Sequence, residues 1–263
     1  MRISKVDCVN FTNRNQKLVT FKSPVVQETV KKDYAKASAQ NWQAQTINKI
    51  SPVSFKGNKE ENITPVLIFM GPPLVGKGTQ AKMVSEKTNF PHISVGAILR
   101  KNIEEGTELG KLSKSYVESG KLIPSDVVID LIIDRIEQED CKKGFILDGF
   151  PRREVEAEAL LKHIEKKKEQ GVILQPKVIN IIAPDDILLQ RVAKRALEQK
   201  RSDDTPEIAK DRLETYYRET KPVEKIFIDK GAITNIDSCP DGYEMTIEEV
   251  MDKVVDVLDI DED

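Results

Sequence analysis

The chain has 263 residues, 39% of them apolar, with 41 Lys plus Arg against 44 Asp plus Glu and a net charge of −3. That near balance argues against a general electrostatic partner such as nucleic acid or an anionic membrane, and the apolar content argues against disorder throughout. The average hides a split, because residues 1–60 carry 11 basic and 4 acidic side chains, a balance of +7, which leaves 30 basic and 40 acidic groups, or −10, in the remainder.

Residues 1–60 lack a sustained period beyond a weak helical stripe of Val26, Val30, Tyr34 and Ala37, and are read as a basic, disordered tail. An organellar transit peptide is the alternative, although only Arg2 and Arg14 supply arginine; a secretory signal would need an apolar h-region that is absent here. The remainder, residues 61–263, has a length that suits one domain. Three widely spaced cysteines, Cys8, Cys141 and Cys239, build neither a disulfide framework nor a CxxC metal pair, which points to a reducing compartment. No run approaches the roughly 18 consecutive apolar residues of a spanning helix, so a soluble protein is expected.

At Pro65 the character changes. Residues 66–70 form a continuous apolar run, as a parallel strand covered on both faces requires. A glycine-containing turn follows, and residues 79–87 read as a helix. Further short apolar runs occur at residues 145–147 and 178–183, with a helical stripe of Val127, Val128, Leu131, Ile132 and Ile136 between strands. A last strand is expected at residues 232–236 and a helix at residues 246–258, opened by a capping box of Thr246 and Glu249. Such alternation predicts an α/β fold with a parallel sheet wound on both faces.

Gly71, Pro72, Pro73, Leu74, Val75, Gly76, Lys77, Gly78 and Thr79 follow the first strand and open a helix, the context of a phosphate loop. Backbone N–H groups at the turn and the helix N-terminus can wrap a polyphosphate, and Lys77 adds a mobile charge. Gly78 stands where Ser or Thr usually offers a hydroxyl to Mg²⁺, so other groups must organise that ion. The chain's only histidines, His92 and His163, sit outside any triad-like pattern, whereas arginines are plentiful.

The run Gly76, Lys77, Gly78, Thr79, Gln80 resembles the phosphate loop of the nucleoside monophosphate kinases, adenylate kinases above all. Four further segments agree in order: residues 90–100, residues 120–124 (Gly-Lys-Leu-Ile-Pro), residues 148–152 (Asp-Gly-Phe-Pro-Arg), and Arg201 to Asp204 with Arg212, Leu213 and Tyr216. The resemblance runs from about residue 65 to the C-terminus. It implies a three-layer P-loop kinase fold with a five-stranded parallel sheet, a monophosphate-binding segment at residues 94–123 and a short lid at residues 195–211. A zinc-bearing long lid is ruled out by length and by the lack of cysteine there.

By the same resemblance, the reaction is reversible phosphoryl transfer from ATP with Mg²⁺ to AMP, giving two ADP by direct in-line displacement. Leu74, Val75, Gly76, Lys77, Gly78, Thr79, Arg191 and Arg195 would hold ATP, with Arg191 on the adenine. Val95, Arg100, Lys121, Leu122, Ile123, Gly149, Phe150, Pro151, Arg152, Glu156, Arg201 and Arg212 would surround AMP. Lys77, Arg152, Arg195, Arg201 and Arg212 would act on the transferring group, and Asp148 would position Mg²⁺ through water. Physical chemistry agrees, since bringing two phosphate chains together needs fixed cations more than a nucleophile or base. Lid and acceptor segments should close to exclude water. A cytoplasmic monomer without nucleic-acid or membrane partners is expected.

Several residues depart from the family's pattern. Leu74 replaces a usual glycine, and would be strained by roughly 1–2 kcal/mol if its position demands a positive φ. Val95, Ala97 and Glu156 replace the usual Thr, Asp and Gln. A glutamate only accepts hydrogen bonds, so it suits a guanine edge better than adenine, unless it points to solvent. A kinase for GMP, CMP or UMP and a non-catalytic nucleotide-binding scaffold therefore stay open as alternatives.

Overall fold

A computed structural model of the chain describes residues 63–199 and 205–260. The tail reading of residues 1–60 and the expected role of Arg201 fall outside the described residues.

The first apolar run forms β1 (Ile63–Met70), whose side chains alternate between faces. Val66, Ile68 and Met70 enter one buried cluster, and Leu67 and Phe69 the other. Each such side chain, once fully buried, contributes about 1.5–3 kcal/mol. The strand starts before the run that announces it. Pro65 is tolerated because β1 has a neighbour on only one side there, pairing with Gln175 while its other partner begins opposite Val66.

Along the chain follow α1 (Lys77–Thr88), β2 (His92–Ser94), α2 (Val95–Glu105), α3 (Glu108–Glu118), α4 (Ser125–Ile136) and β3 (Phe145–Asp148). Next come α5 (Glu154–Glu169), β4 (Ile173–Ile182), α6 (Asp185–Gln199), α7 (Pro206–Thr215), α8 (Val223–Asp229), β5 (Ile233–Asp237) and α9 (Ile247–Leu258). The sheet order is β2-β3-β1-β4-β5, parallel throughout, as expected. Buried residues of α1, α6, α7 and α9 pack on one face, and those of α2 to α5 and α8 on the other, completing three layers.

Two strands exceed the expectation. β2 is only three residues, too short to carry a period, and β4 begins at Ile173 rather than at residue 178. Its Pro176 lies where β4 pairs with β1 alone, since pairing with β5 begins at Val178. The α9 capping box is present, with Glu249 N–H donating to Thr246 Oγ1 at 3.2 Å and Thr246 N–H to Glu249 Oε2 at 2.7 Å.

The sheet grows to opposite sides of β1, which opens a crevice at the strands' carboxyl ends. Gly71 makes the exit from β1 possible: its φ is +129°, and a Cβ there would lie 2.1 Å from Ile181 O. Gly71→Ala is therefore expected to destabilise the fold by about 2–4 kcal/mol, combining backbone strain with overpacking. Urea denaturation checks this, and an unchanged midpoint would contradict it.

Candidate active site

From Gly71 the chain turns through Pro72 and Pro73 into Leu74, whose φ is +72°. The conformation that penalises a leucine is thus adopted. Its side chain, 8% exposed, joins the buried cluster beneath α1 and α6, and burial of about 1.5–3 kcal/mol offsets strain of about 1–2 kcal/mol. Gly76, at φ +99°, then turns the chain into α1. No side chain caps that helix, so its first N–H groups are left for an anion.

Lys77, at the first position of α1, folds back to donate to Gly71 O at 2.9 Å and Pro72 O at 2.7 Å. Burial pushes its pKa down to about 7; Asp148 pulls it up, while Arg152 and Arg195 push it further down. Asp148 closes β3 beside it. Burial alone would raise the Asp148 carboxyl, but hydrogen bonds from His92 and Ser94 and the Lys77 charge hold it below the usual carboxylate range. His92 Nε2 lies 3.4 Å from Asp148 Oδ2, a pairing created by β2, where Ser94 is registered against Asp148.

Gly78 leaves this corner open, since a Cβ there would sit 3.3 Å from Asp148 Oδ2. The space and the carboxylate together suit a hard cation that keeps most of its water. Among the described residues no group of three or more His, Cys, Asp or Glu is arranged for a metal, so an all-protein cage is not what this corner provides.

On the far side, Arg152 lies near Asp148, Glu156, Arg100 and Arg212. Its pKa is lowered by burial, with the two carboxylates opposing and the two arginines reinforcing that shift. Arg152 Nε donates to Gly149 O at 2.9 Å, which aims the guanidinium from the turn after β3. On the near side, Arg191 is anchored by Glu244, whose Oε1 accepts from Nε at 2.9 Å and lies 2.7 Å from Nη2. Arg195 follows one turn later on α6.

All these groups face one cleft of 1740 Å³. Leu74, Val75, Gly76, Lys77, Gly78 and Thr79 line it from the loop, and Arg191, Arg195 and Arg212 from α6 and α7. Val95, Arg100, Lys121, Leu122 and Ile123 line it from the segment around α2 and α3, Asp148, Gly149, Pro151 and Arg152 from β3 and its turn, and Glu156 from the first turn of α5. Phe150, expected beside the acceptor, instead lies in the core at 1% exposure and is not part of the lining. Glu156 does not reach solvent: it is 2% exposed, accepting from Ser125 Oγ at 2.9 Å and Arg152 N–H at 2.7 Å.

Three residues that sequence reasoning passed over matter here. His92 reaches Asp148 only through the β2 register, Glu244 meets Arg191 across 53 residues, and Arg153 donates to Ile123 O at 2.8 Å. The Arg-Arg pair after Pro151 was the one local signal for Arg153; the others are purely tertiary.

The arrangement brings several cations, with Asp148 among them, around a space larger than the roughly 300–1,000 Å³ of a single small-ligand pocket. Comparison with known proteins agrees. Residues 69–232 match the family model for adenylate kinase. The chain is 44% identical over 180 residues to an adenylate kinase of Leptospira biflexa, covering 68% of this chain and 95% of that protein. It is 42% identical over 182 residues to adenylate kinase 1 of a Nostoc species, with 69% and 95% covered. With an adenylate kinase of Archaeoglobus fulgidus, identity is 37% over 220 residues, covering 72% and 98%.

A polyphosphate bound at the loop will raise the Lys77 pKa, so at pH 8 binding should draw a proton from solution. Calorimetry of ATP binding in two buffers of different ionisation enthalpy should report an uptake that grows as pH rises from about 6 to 8. Uptake of zero at pH 8 would show that Lys77 already carries its charge.

Proposed function

The chain belongs to the adenylate kinase family and is an enzyme of phosphoryl transfer between adenine nucleotides, and we propose that it moves the terminal phosphoryl of ATP directly to AMP, giving two ADP. The observation that carries this reading is the placing of cations on both sides of Asp148 in one cleft. Lys77 and the open N-terminus of α1 take the donor phosphates, and Arg191, its edge engaged by Glu244, presents its face to the donor base. Arg100 and Arg152 hold the acceptor monophosphate with fork-like contacts. Lys77, Arg152, Arg195, Arg201 and Arg212 stabilise the charge spread over the transferring group.

No side chain has to act as nucleophile, because the acceptor phosphate oxygen attacks in line with the departing ADP oxygen. Asp148, with the room left by Gly78, fits as the group that would orient Mg²⁺ through water, and the ion when bound would neutralise charge between donor phosphates. Closure of the segment around α2 and α3 over the sheet keeps water from competing as acceptor.

With ATP and Mg²⁺, the protein should convert each AMP into two ADP and should hydrolyse ATP slowly when AMP is absent. Product analysis checks the stoichiometry, and phosphate release without ADP formation from AMP would overturn the reading. Loss of a charged phosphate contact in Arg100→Ala should raise the KM for AMP by about 10- to 100-fold and leave the KM for ATP within about threefold. Equal rises for both nucleotides would remove Arg100 from the acceptor side.

A further inference from the structure

We propose that the acceptor side of the cleft takes 6-oxopurine monophosphates, GMP and IMP, as well as AMP, with the Glu156 carboxylate as the specificity-determining group. The inference rests on reading the Arg100 and Arg152 side as the acceptor site.

Glu156 is 2% exposed yet lines the cleft, together with the apolar side chains of Val95, Ile123 and Val128. Those apolar side chains supply surface for a flat ring and offer it no hydrogen bond, which leaves the Glu156 carboxylate, in the same lining, as the group for the base edge. The carboxylate is also fixed in place. Oε1 accepts from Ser125 Oγ at 2.9 Å and Oε2 from the Arg152 N–H at 2.7 Å. Ser125 Oγ, having spent its one proton on Glu156, accepts in turn from Arg153 Nη1 at 3.3 Å. Arg153 is itself held by Ile123 O at 2.8 Å and by Glu219 Oε2 at 3.2 Å from Nε. The Arg153-to-Ser125 and Ser125-to-Glu156 bonds run in one direction and the Arg152 N–H adds a second donor, which anchors a carboxylate with acceptor capacity left on both oxygens and nothing to donate.

A base is selected by what it can donate to that group. Adenine offers its N6 amino hydrogens but places the N1 lone pair next to them, facing a carboxylate that has no proton to give. Guanine offers N1–H and the N2 amino group side by side, and hypoxanthine offers N1–H, so both present a donor where adenine presents an acceptor. One hydrogen bond made or left unmade to a buried group changes affinity by about 5- to 150-fold, enough to bring 6-oxopurines level with AMP on a scaffold that otherwise favours adenine. Replacing the carboxylate by an amide reverses the balance, because an amide can donate to N1 of adenine and opposes N1–H of guanine.

The test measures kcat/KM for AMP, GMP and IMP at saturating ATP and Mg²⁺ on the full chain and on Glu156→Gln. In the unaltered protein, GMP and IMP should fall within about tenfold of AMP, and Glu156→Gln should move the AMP-to-GMP ratio toward AMP by at least about tenfold. GMP and IMP a thousandfold or more below AMP, or a ratio that Glu156→Gln leaves unchanged, would overturn the proposal while the AMP reaction stands. Absence of transfer to any of the three acceptors would instead overturn the transfer reading. Should Glu156→Gln melt below the assay temperature, calorimetric affinities of AMP and GMP for the unaltered protein decide the matter, with comparable values expected and a thousandfold preference for AMP contradicting it.

Discussion

The charge on Lys77 is held where the free protein least favours it, and the surrounding architecture serves to keep it there. Its ammonium group is desolvated against the carbonyls of Gly71 and Pro72, with Arg152 and Arg195 adding repulsion and Asp148 the main relief. A surface lysine would swing into water and keep an ordinary pKa. This one is fixed in position but gives up its proton near pH 7, and an anion brought against it would restore the charge.

Holding such a group demands rigidity, and the parallel sheet provides it. β1 is buried on both faces and ends at Gly71, while β3, registered beside it, ends at Asp148, so the lysine-bearing loop and its carboxylate issue from adjacent strand ends. α1 begins directly at Lys77, which points its uncapped N-terminus into the same space. Arg152 comes from the turn after β3, and the other described cations come from helices packed on the two faces of the sheet: Arg100 on α2, Arg191 and Arg195 on α6, and Arg212 on α7. This division puts the loop and its carboxylate on the sheet and the other cations on the helices and turn around it. Leu74 belongs to the fixed part, its strained backbone held by the burial of its own side chain.

Much of this was legible in the sequence because it is local. The apolar run of β1, the glycine-bounded loop, the Asp148 to Arg152 turn and the Thr246 and Glu249 box each place their chemistry within a few residues, and Leu74 at a position usually given to glycine raised the question of a positive φ that the structure answers. What was not legible depends on contacts between distant segments. A three-residue strand such as β2 has no period, yet it decides that His92 and Ser94 support Asp148. Pro176 argues locally against a strand, and only the absence of a second neighbour at that point lets β4 continue through it. The burial of Glu156 at the start of α5 and the withdrawal of Phe150 into the core were equally beyond reach, because where such a side chain lies depends on what packs against it.

The central claim is that folding places Lys77 where its charge is costly, so that the nucleotide-free protein sheds this proton near pH 7 rather than near 10.5. With a folded pKa near 7 and an ordinary value of 10.5, the unfolded chain binds a proton at this residue that the folded protein does not, so between those values the group makes stability rise with pH. The most direct measurement compares the unfolding free energies of the nucleotide-free protein and its Lys77→Met variant at pH 6 and at pH 9. The variant's stability relative to the unaltered protein should be greatest at pH 6 and should decline toward pH 9, while its phosphoryl transfer is lost at both. A stability difference that does not change with pH would contradict the account, since Lys77 would then be an ordinary lysine with no strain of charge to release.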